Sequence, residues 1–183
     1  MNRYIALLRG INVGGQKPLR MEALRDVFER AGFKNVATYL QSGNVVFDTA
    51  ERDRVRLTKK IERTLLKSSG HEIAVVLRTL KELEELVESN PFRQIKAGAD
   101  VMLCVAFFSD DPAGKPRLPL TSEKERMELF AIKDRVAHVV SRRKPNGWFG
   151  FPNNYVEKEL AVTATTRQWK TVEKILKWAQ SST

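Results

Sequence analysis

The sequence predicts an α+β fold whose first half is a ferredoxin-like β-α-β-β-α-β unit. Three observations carry that prediction. Short apolar runs with strand character alternate with stretches of helical period. Ser42-Gly43 joins two of the strand runs directly, which is the pattern of a hairpin. Gly32 and Gly70 stand where two helices would end.

The elements follow in order. Residues 3–9 read as a strand, and a helix starts near Arg20. Met21, Leu24, Val27, Phe28 and Ala31 recur at helical spacing. Val36–Gln41 and Asn44–Asp48 are strand patterns on either side of Ser42-Gly43. Asp48 and Glu51 resemble a capping box for the next helix, where Leu57, Ile61 and Leu65 form an apolar stripe. Residues 71–78 complete the six elements as a strand. Thr79 and Glu82 form a capping box before Leu80, Leu83, Leu86 and Val87, and Asn90-Pro91-Phe92 ends that helix.

The second half has less regular punctuation. Val101–Phe108 is a continuous apolar strand, long enough to be buried on both faces. Pro112–Pro119 is a loop, and a short helix is expected from Ser122. Residues 128–132 and 136–141 read as strands, and 147–151 as an aromatic strand or turn. Asn153 opens a helix to Leu160, and Trp169, Val172, Ile175, Leu176 and Ala179 share a face of the last helix. The expected organisation is a ferredoxin-like subdomain over 1–92 and a second α+β subdomain, also ferredoxin-like in pattern, over 101–183.

At 183 residues, 42% hydrophobic and 30% charged, the chain can build a substantial core. No apolar run reaches the roughly 18 residues of a membrane span. Arg9 and Gly10 interrupt the apolar stretch Tyr4–Leu8, so no secretory pattern is read. Cys104 is the only cysteine, which excludes an internal disulfide and makes a cytoplasmic location the expectation. No metal site and no cofactor are expected, because no H-x-x-x-H, C-x-x-C or carboxylate cluster occurs. His71 and His138 have no local catalytic partner, so the sequence assigns no reaction.

A net charge of +10, from 32 basic and 22 acidic side chains, favours anionic partners. Residues 51–68 hold Arg52, Arg54, Arg56, Lys59, Lys60, Arg63 and Lys67, and Arg142-Arg143-Lys144 is a second cluster. Such a helix is a candidate nucleic-acid surface, and the plainer reading is a solvated face.

The glycine-rich loop is the first candidate site. Gly10-Ile11-Asn12-Val13-Gly14-Gly15-Gln16-Lys17-Pro18 links a strand to a helix, where exposed N–H groups can hold an anion. It is neither a P-loop nor a dinucleotide fingerprint, since its glycines read G-x-x-x-G-G. The plainer reading is a connection whose glycines supply positive φ.

The hairpin is the second. With Ser42-Gly43 as a two-residue loop, Gln41 pairs with Asn44, Leu40 with Val45, Tyr39 with Val46 and Thr38 with Phe47. Leu40, Val45 and Phe47 then face the helices, while Tyr39, Gln41 and Asn44 project from the opposite side. The plainer reading is that Asn44 bonds its own turn. The third is Ala164-Thr165-Thr166-Arg167-Gln168-Trp169-Lys170-Thr171, where Thr165 and Gln168 fit a capping box and Arg167 strengthens the positive end of a helix.

Leu7–Gly15, the Tyr39–Phe47 hairpin, Asn90-Pro91-Phe92 and Ala164–Thr171 together resemble a bacterial family, the domain of unknown function 1697 family. The resemblance spans almost the whole chain. The last motif usually reads Thr-Thr-Arg-Asn-Trp-Asn-Thr in that family, and Gln168 and Lys170 depart from it. The resemblance implies an α+β fold with ferredoxin-like subdomains and no particular activity. The leading expectation is a site for a phosphate-bearing or other anionic small molecule. Arg9, Asn12, Gly14, Gly15 and Lys17 would form its cradle, Gln41, Ser42 and Asn44 would add polar recognition, and Thr166 and Arg167 would complete it. A nucleic-acid module and a structural or partner-binding protein are the alternatives.

Overall fold

The computed structural model describes residues 1–13 and 17–182. The fold is α+β, with two antiparallel sheets and five helices among these residues. Its elements run β1 (Asn2–Leu8), α1 (Met21–Arg30), β2 (Lys34–Tyr39), β3 (Asn44–Thr49), α2 (Arg54–Ser69), β4 (Val75–Thr79) and α3 (Leu80–Ser89). They continue β5 (Val101–Phe108), β6 (Leu120–Ser122), β7 (Met127–Lys133), β8 (Val136–Arg142), α4 (Asn153–Leu160), β9 (Ala164–Gln168) and α5 (Trp169–Ser181). The chain divides into two compact units, Met1–Glu85 with Lys174–Thr183, and Leu86–Glu173.

In the first unit the strand order is β2-β3-β1-β4, every pair antiparallel. Strand periodicity sends Tyr4, Ala6 and Leu8, Val45 and Phe47, and Val75 and Leu77 to one face. Leu24, Val27 and Phe28 of α1 and Leu57, Ile61 and Leu65 of α2 close over it. These positions sit three or four apart, so each helix brings a continuous stripe to the sheet. Phe28, Phe33 and Phe47 meet edge-on or tilted at 4.6 to 5.7 Å between ring centres. Gly70 ends α2 in the left-handed conformation at φ 72°, as its position in the sequence implies.

The second unit is a five-stranded sheet of order β6-β7-β8-β5-β9. Cys104 to Phe108 of its interior strand β5 are all buried, so the expected burial on both faces holds for those residues, while Val101 to Leu103 are half-buried. Val156 and Leu160 of α4 pack on Cys104, Ala106 and Phe108.

Several local expectations change. The hairpin turn spans Leu40 to Gly43, and Tyr39 pairs with Asn44, Thr38 with Val45 and Ala37 with Val46. The register is displaced by two residues, an even number, so Val45 and Phe47 keep the core face. Leu40 does not, because it enters the turn at φ 58° and is exposed.

The Asp48–Glu51 capping box does not form. Asp53 caps α2 by accepting from the Arg56 N–H at 3.0 Å, while Asp48 pairs with Arg3. The strand expected from His71 begins at Val75, and the helix expected at Ser122 is the end of β6 followed by a turn. Thr165 to Gln168 are not a helix cap but the strand β9, hydrogen-bonded along β5. The Thr79–Glu82 box does form, with Glu82 accepting from the Thr79 N–H at 2.7 Å and Thr79 Oγ1 from the Glu82 N–H at 3.2 Å.

Candidate functional site

The Asn12 side chain ties the loop after β1 to its surroundings. Asn12 donates through Nδ2 to the carbonyls of Leu19, at 2.9 Å, and Gln41, at 2.8 Å. Its Oδ1 accepts from the Leu19 N–H at 2.7 Å. Both amide protons are therefore used, and the ends of the loop are fastened to each other and to the hairpin turn. The backbone reaches this shape through positive φ at Gly10, Asn12 and Lys17. Asparagine is among the non-glycine residues that tolerate that region best.

The turn meets the loop closely. Leu8 donates its N–H to the Gly43 carbonyl at 2.9 Å. Gly43 has φ 77°, and a Cβ there would fall 2.6 Å from Ile11 Cδ1 and 2.9 Å from Leu8 Cβ. Glycine is required by conformation and by space.

Beside these contacts, a concavity of about 500 Å³ is lined by Asn12, Pro18, Leu19, Arg20, Met21, Glu22 and Gln41. It lies at the N-terminus of α1. Arg20 occupies the N-cap position without a side-chain cap bond, and the first intrahelical bond is Leu24 N–H to the Arg20 carbonyl. The N–H groups of Met21, Glu22 and Ala23 thus lack intrahelical acceptors and carry the positive end of the helix dipole. Arg20 adds a cation, and Glu22 places one carboxylate in the same turn.

Of the residues singled out from sequence, Asn12 and Gln41 line this cleft. Lys17 donates through Nζ to the Glu72 carbonyl at 2.5 Å. Arg9 lies at the start of the loop, with its N–H on the Ala74 carbonyl. Gly14 and Gly15 lie outside the described residues. Asn44 is fully buried, and its Nδ2 donates to the Tyr39 carbonyl and to Ser42 Oγ, closing the turn. Thr166 and Arg167 belong to the second unit, on β9. Arg167 is buried and donates to Thr165 Oγ1 and the Thr166 carbonyl, both at 2.9 Å, and desolvation lowers its pKa to about 10. Thr166 Oγ1 is buried with no hydrogen-bond partner among the described residues.

Sequence reasoning missed Arg20 and Glu22. The signal was present, since the helix start near Arg20 was legible, and a basic residue at an N-cap leaves the first turn without a side-chain acceptor.

Two other ionisable groups stand apart in the second unit. His138, on β8, is 5% exposed, and neither ring nitrogen has a hydrogen-bond partner among the described residues. Phe92 and Phe130 flank it with ring centres 5.9 Å away. Desolvation first, then the charge of Lys133, lowers its pKa to about 4. Burial pushes the Cys104 thiol up to about 12, which makes it a poor nucleophile. Among the described residues no helix is long and apolar enough to cross a membrane, and no cluster of His, Cys, Asp and Glu could hold a metal ion.

The sequence profile described as "Protein of unknown function (DUF1697)" matches residues 1–138. Among solved structures, a conserved bacterial protein from Streptococcus pneumoniae is similar, with a TM-score of 0.70 and 21% identity over 99% of each chain. No curated protein matches the sequence. At that identity the structural likeness speaks for the fold alone.

Proposed function

The chain belongs to the DUF1697 family, a family of unknown function, and from that premise we propose that it binds a small phosphate-bearing or other anionic molecule. The site is the cleft at the start of α1. The observation that carries the reading is the uncapped first turn of α1 opening into a concavity that also holds Arg20. Backbone N–H groups, the helix dipole and a guanidinium all favour negative charge there.

The roles divide by contact. The first-turn N–H groups and Arg20 hold the anion. The exposed side chain of Gln41 offers an amide to the rest of the ligand. Asn12 is a positioning residue, because its own amide is spent on the loop and the turn. Lys17 extends the cradle in this reading, with Arg9 at its base and Ser42 and Asn44 shaping the turn; Gly14 and Gly15, outside the described residues, keep the role the sequence suggests for them. Thr166 and Arg167 remain part of the proposal as a second polar group on β9. No reaction is assigned to the cleft.

A thermal-shift panel with inorganic phosphate, sulfate, nucleotides and sugar phosphates tests the reading. A ligand at about 100 times its dissociation constant adds roughly 2.7 kcal/mol of stability. For a chain of this size that raises the melting temperature by about 5–10 °C. The expected result is a shift with one class of phosphate compound that Arg20→Ala removes. No shift across the panel, or a shift indifferent to Arg20→Ala, would overturn it.

A further inference from the structure

The exposed side of α2 is a second charged surface, independent of the cleft. The sequence places seven basic residues at 51–68, and the structure sorts them. Arg52 precedes the helix. Arg54 is bound by both oxygens of Glu82 at 2.9 Å. The other five, Arg56, Lys59, Lys60, Arg63 and Lys67, are all exposed and line one concavity of about 300 Å³ along the helix, with Thr64.

Helical geometry explains why they converge. At 3.6 residues per turn, Arg56, Lys60, Arg63 and Lys67 fall within an arc of roughly 60° and span about 16 Å of the axis. Lys59 lies just beside them. None of the five forms an ion pair among the described residues. The only acid within α2, Glu62, is turned away, accepting the Val75 N–H at 3.0 Å. Lys60 is also fixed over the Phe33 ring, at 4.9 Å from its centre. Like charges at three- and four-residue spacing repel one another. A face that gathers five of them with no carboxylate is complementary to a row of negative charges.

We propose that this face of α2 binds the phosphodiester backbone of a nucleic acid. The burial of the helix sets the mode. Leu57, Ile61 and Leu65 occupy the opposite face and lie in the core, so α2 meets a ligand only through its basic face. That face follows the phosphate backbone. Contacts to phosphate position a nucleic acid without reading its sequence, so binding is indifferent to base order. The same burial argues against a membrane surface, because an interfacial helix inserts its apolar stripe and here that stripe is already used.

The experiment is fluorescence anisotropy of the full chain with labelled oligonucleotides, single-stranded and duplex, across a salt series. Phosphatidylserine vesicles are tested in parallel. Five phosphate contacts predict a log–log salt slope of about −4.5 on duplex and about −3.5 on a single strand. On duplex, that is roughly a 500-fold loss of affinity for a fourfold rise in salt. Arg56→Ala with Lys60→Ala and Arg63→Ala reduces the magnitude of the duplex slope by about 2.7. The corresponding triple substitution to Glu abolishes binding. A charge-matched control, Lys96→Glu with Lys115→Glu and Lys124→Glu, retains the wild-type slope, and circular dichroism verifies that each variant is folded. The proposal is overturned by absence of binding at low salt, by a control as damaging as the α2 variant, or by vesicle binding as tight as oligonucleotide binding.

Discussion

The side chain of Asn12 donates to the main-chain carbonyl of Gln41 at 2.8 Å, across 29 residues of sequence. That one bond joins the loop after β1 to the turn between β2 and β3, and so builds two walls of the cleft at the start of α1. An asparagine fits the position because one amide can hold two carbonyls and one N–H together, and because it tolerates φ 56°.

Removing that amide separates the walls. Asn12→Ala loses three hydrogen bonds to backbone and is expected to lower stability by about 1–3 kcal/mol. Asn12→Asp keeps the acceptor but sets a carboxylate oxygen against the Leu19 and Gln41 carbonyls, and should be at least as destabilising as alanine. Chemical denaturation measures both, and equal stability of all three proteins would refute the stapling role.

The two charged residues of the cleft are expected to act with opposite sign. Arg20→Ala weakens anion binding, whereas Glu22→Gln strengthens it by removing a like charge from the same turn. Titration calorimetry with the compound found in the thermal-shift panel measures both. A weaker Glu22→Gln variant would place the anion elsewhere.

Gly43→Ala should be destabilising by about 2 kcal/mol or more, since it combines a positive φ with a contact at 2.6 Å on Ile11. Gly10→Ala has the same sign of φ but meets nothing within 4 Å, so it should cost only about 1 kcal/mol. The difference between the two melting temperatures isolates the packing contribution from the conformational one.

His138 makes stability depend on pH. Its imidazole is neutral in the folded chain down to about pH 4, while an unfolded one takes up a proton near pH 6.5. Below pH 6.5 the unfolded state therefore binds more protons, and stability falls until pH approaches 4. The full effect is about 3 kcal/mol. His138→Phe should flatten the dependence of the melting temperature in that window. An unchanged profile would show that other groups carry it.

Arg3 and Asp48 act at lower pH. Arg3 holds Asp48 through two bonds, at 2.9 and 3.1 Å, and also donates to the Ala179 and Ser182 carbonyls. Its hydrogen bonds hold the Asp48 carboxyl below the usual carboxylate range. The contribution is complete above the ordinary aspartate pKa of about 3.9 and is lost as pH falls through the lowered one. Arg3→Lys cannot make the paired contact and should lower stability by about 1–2 kcal/mol at pH 7, with a smaller deficit in strong acid.

The sequence by itself determined the α+β class, the order of the first six elements and the core faces of α1, α2 and α5. Those properties follow from local periodicity, which each segment carries within itself. It also placed Gly43 in the hairpin turn and Asn12 in the candidate loop, and its motifs identified the family. Only the tertiary structure decided the hairpin register, because that depends on where β1 and Ile11 pack against the turn. It turned Thr165–Gln168 into a strand, since the edge of β5 offers more hydrogen bonds than a helix cap does. Long-range partners also selected the charges: Glu82 takes Arg54, Val75 takes Glu62, and five cations are left together on α2. A local sequence window contains the charges but not the distant groups that neutralise some of them and leave the rest exposed.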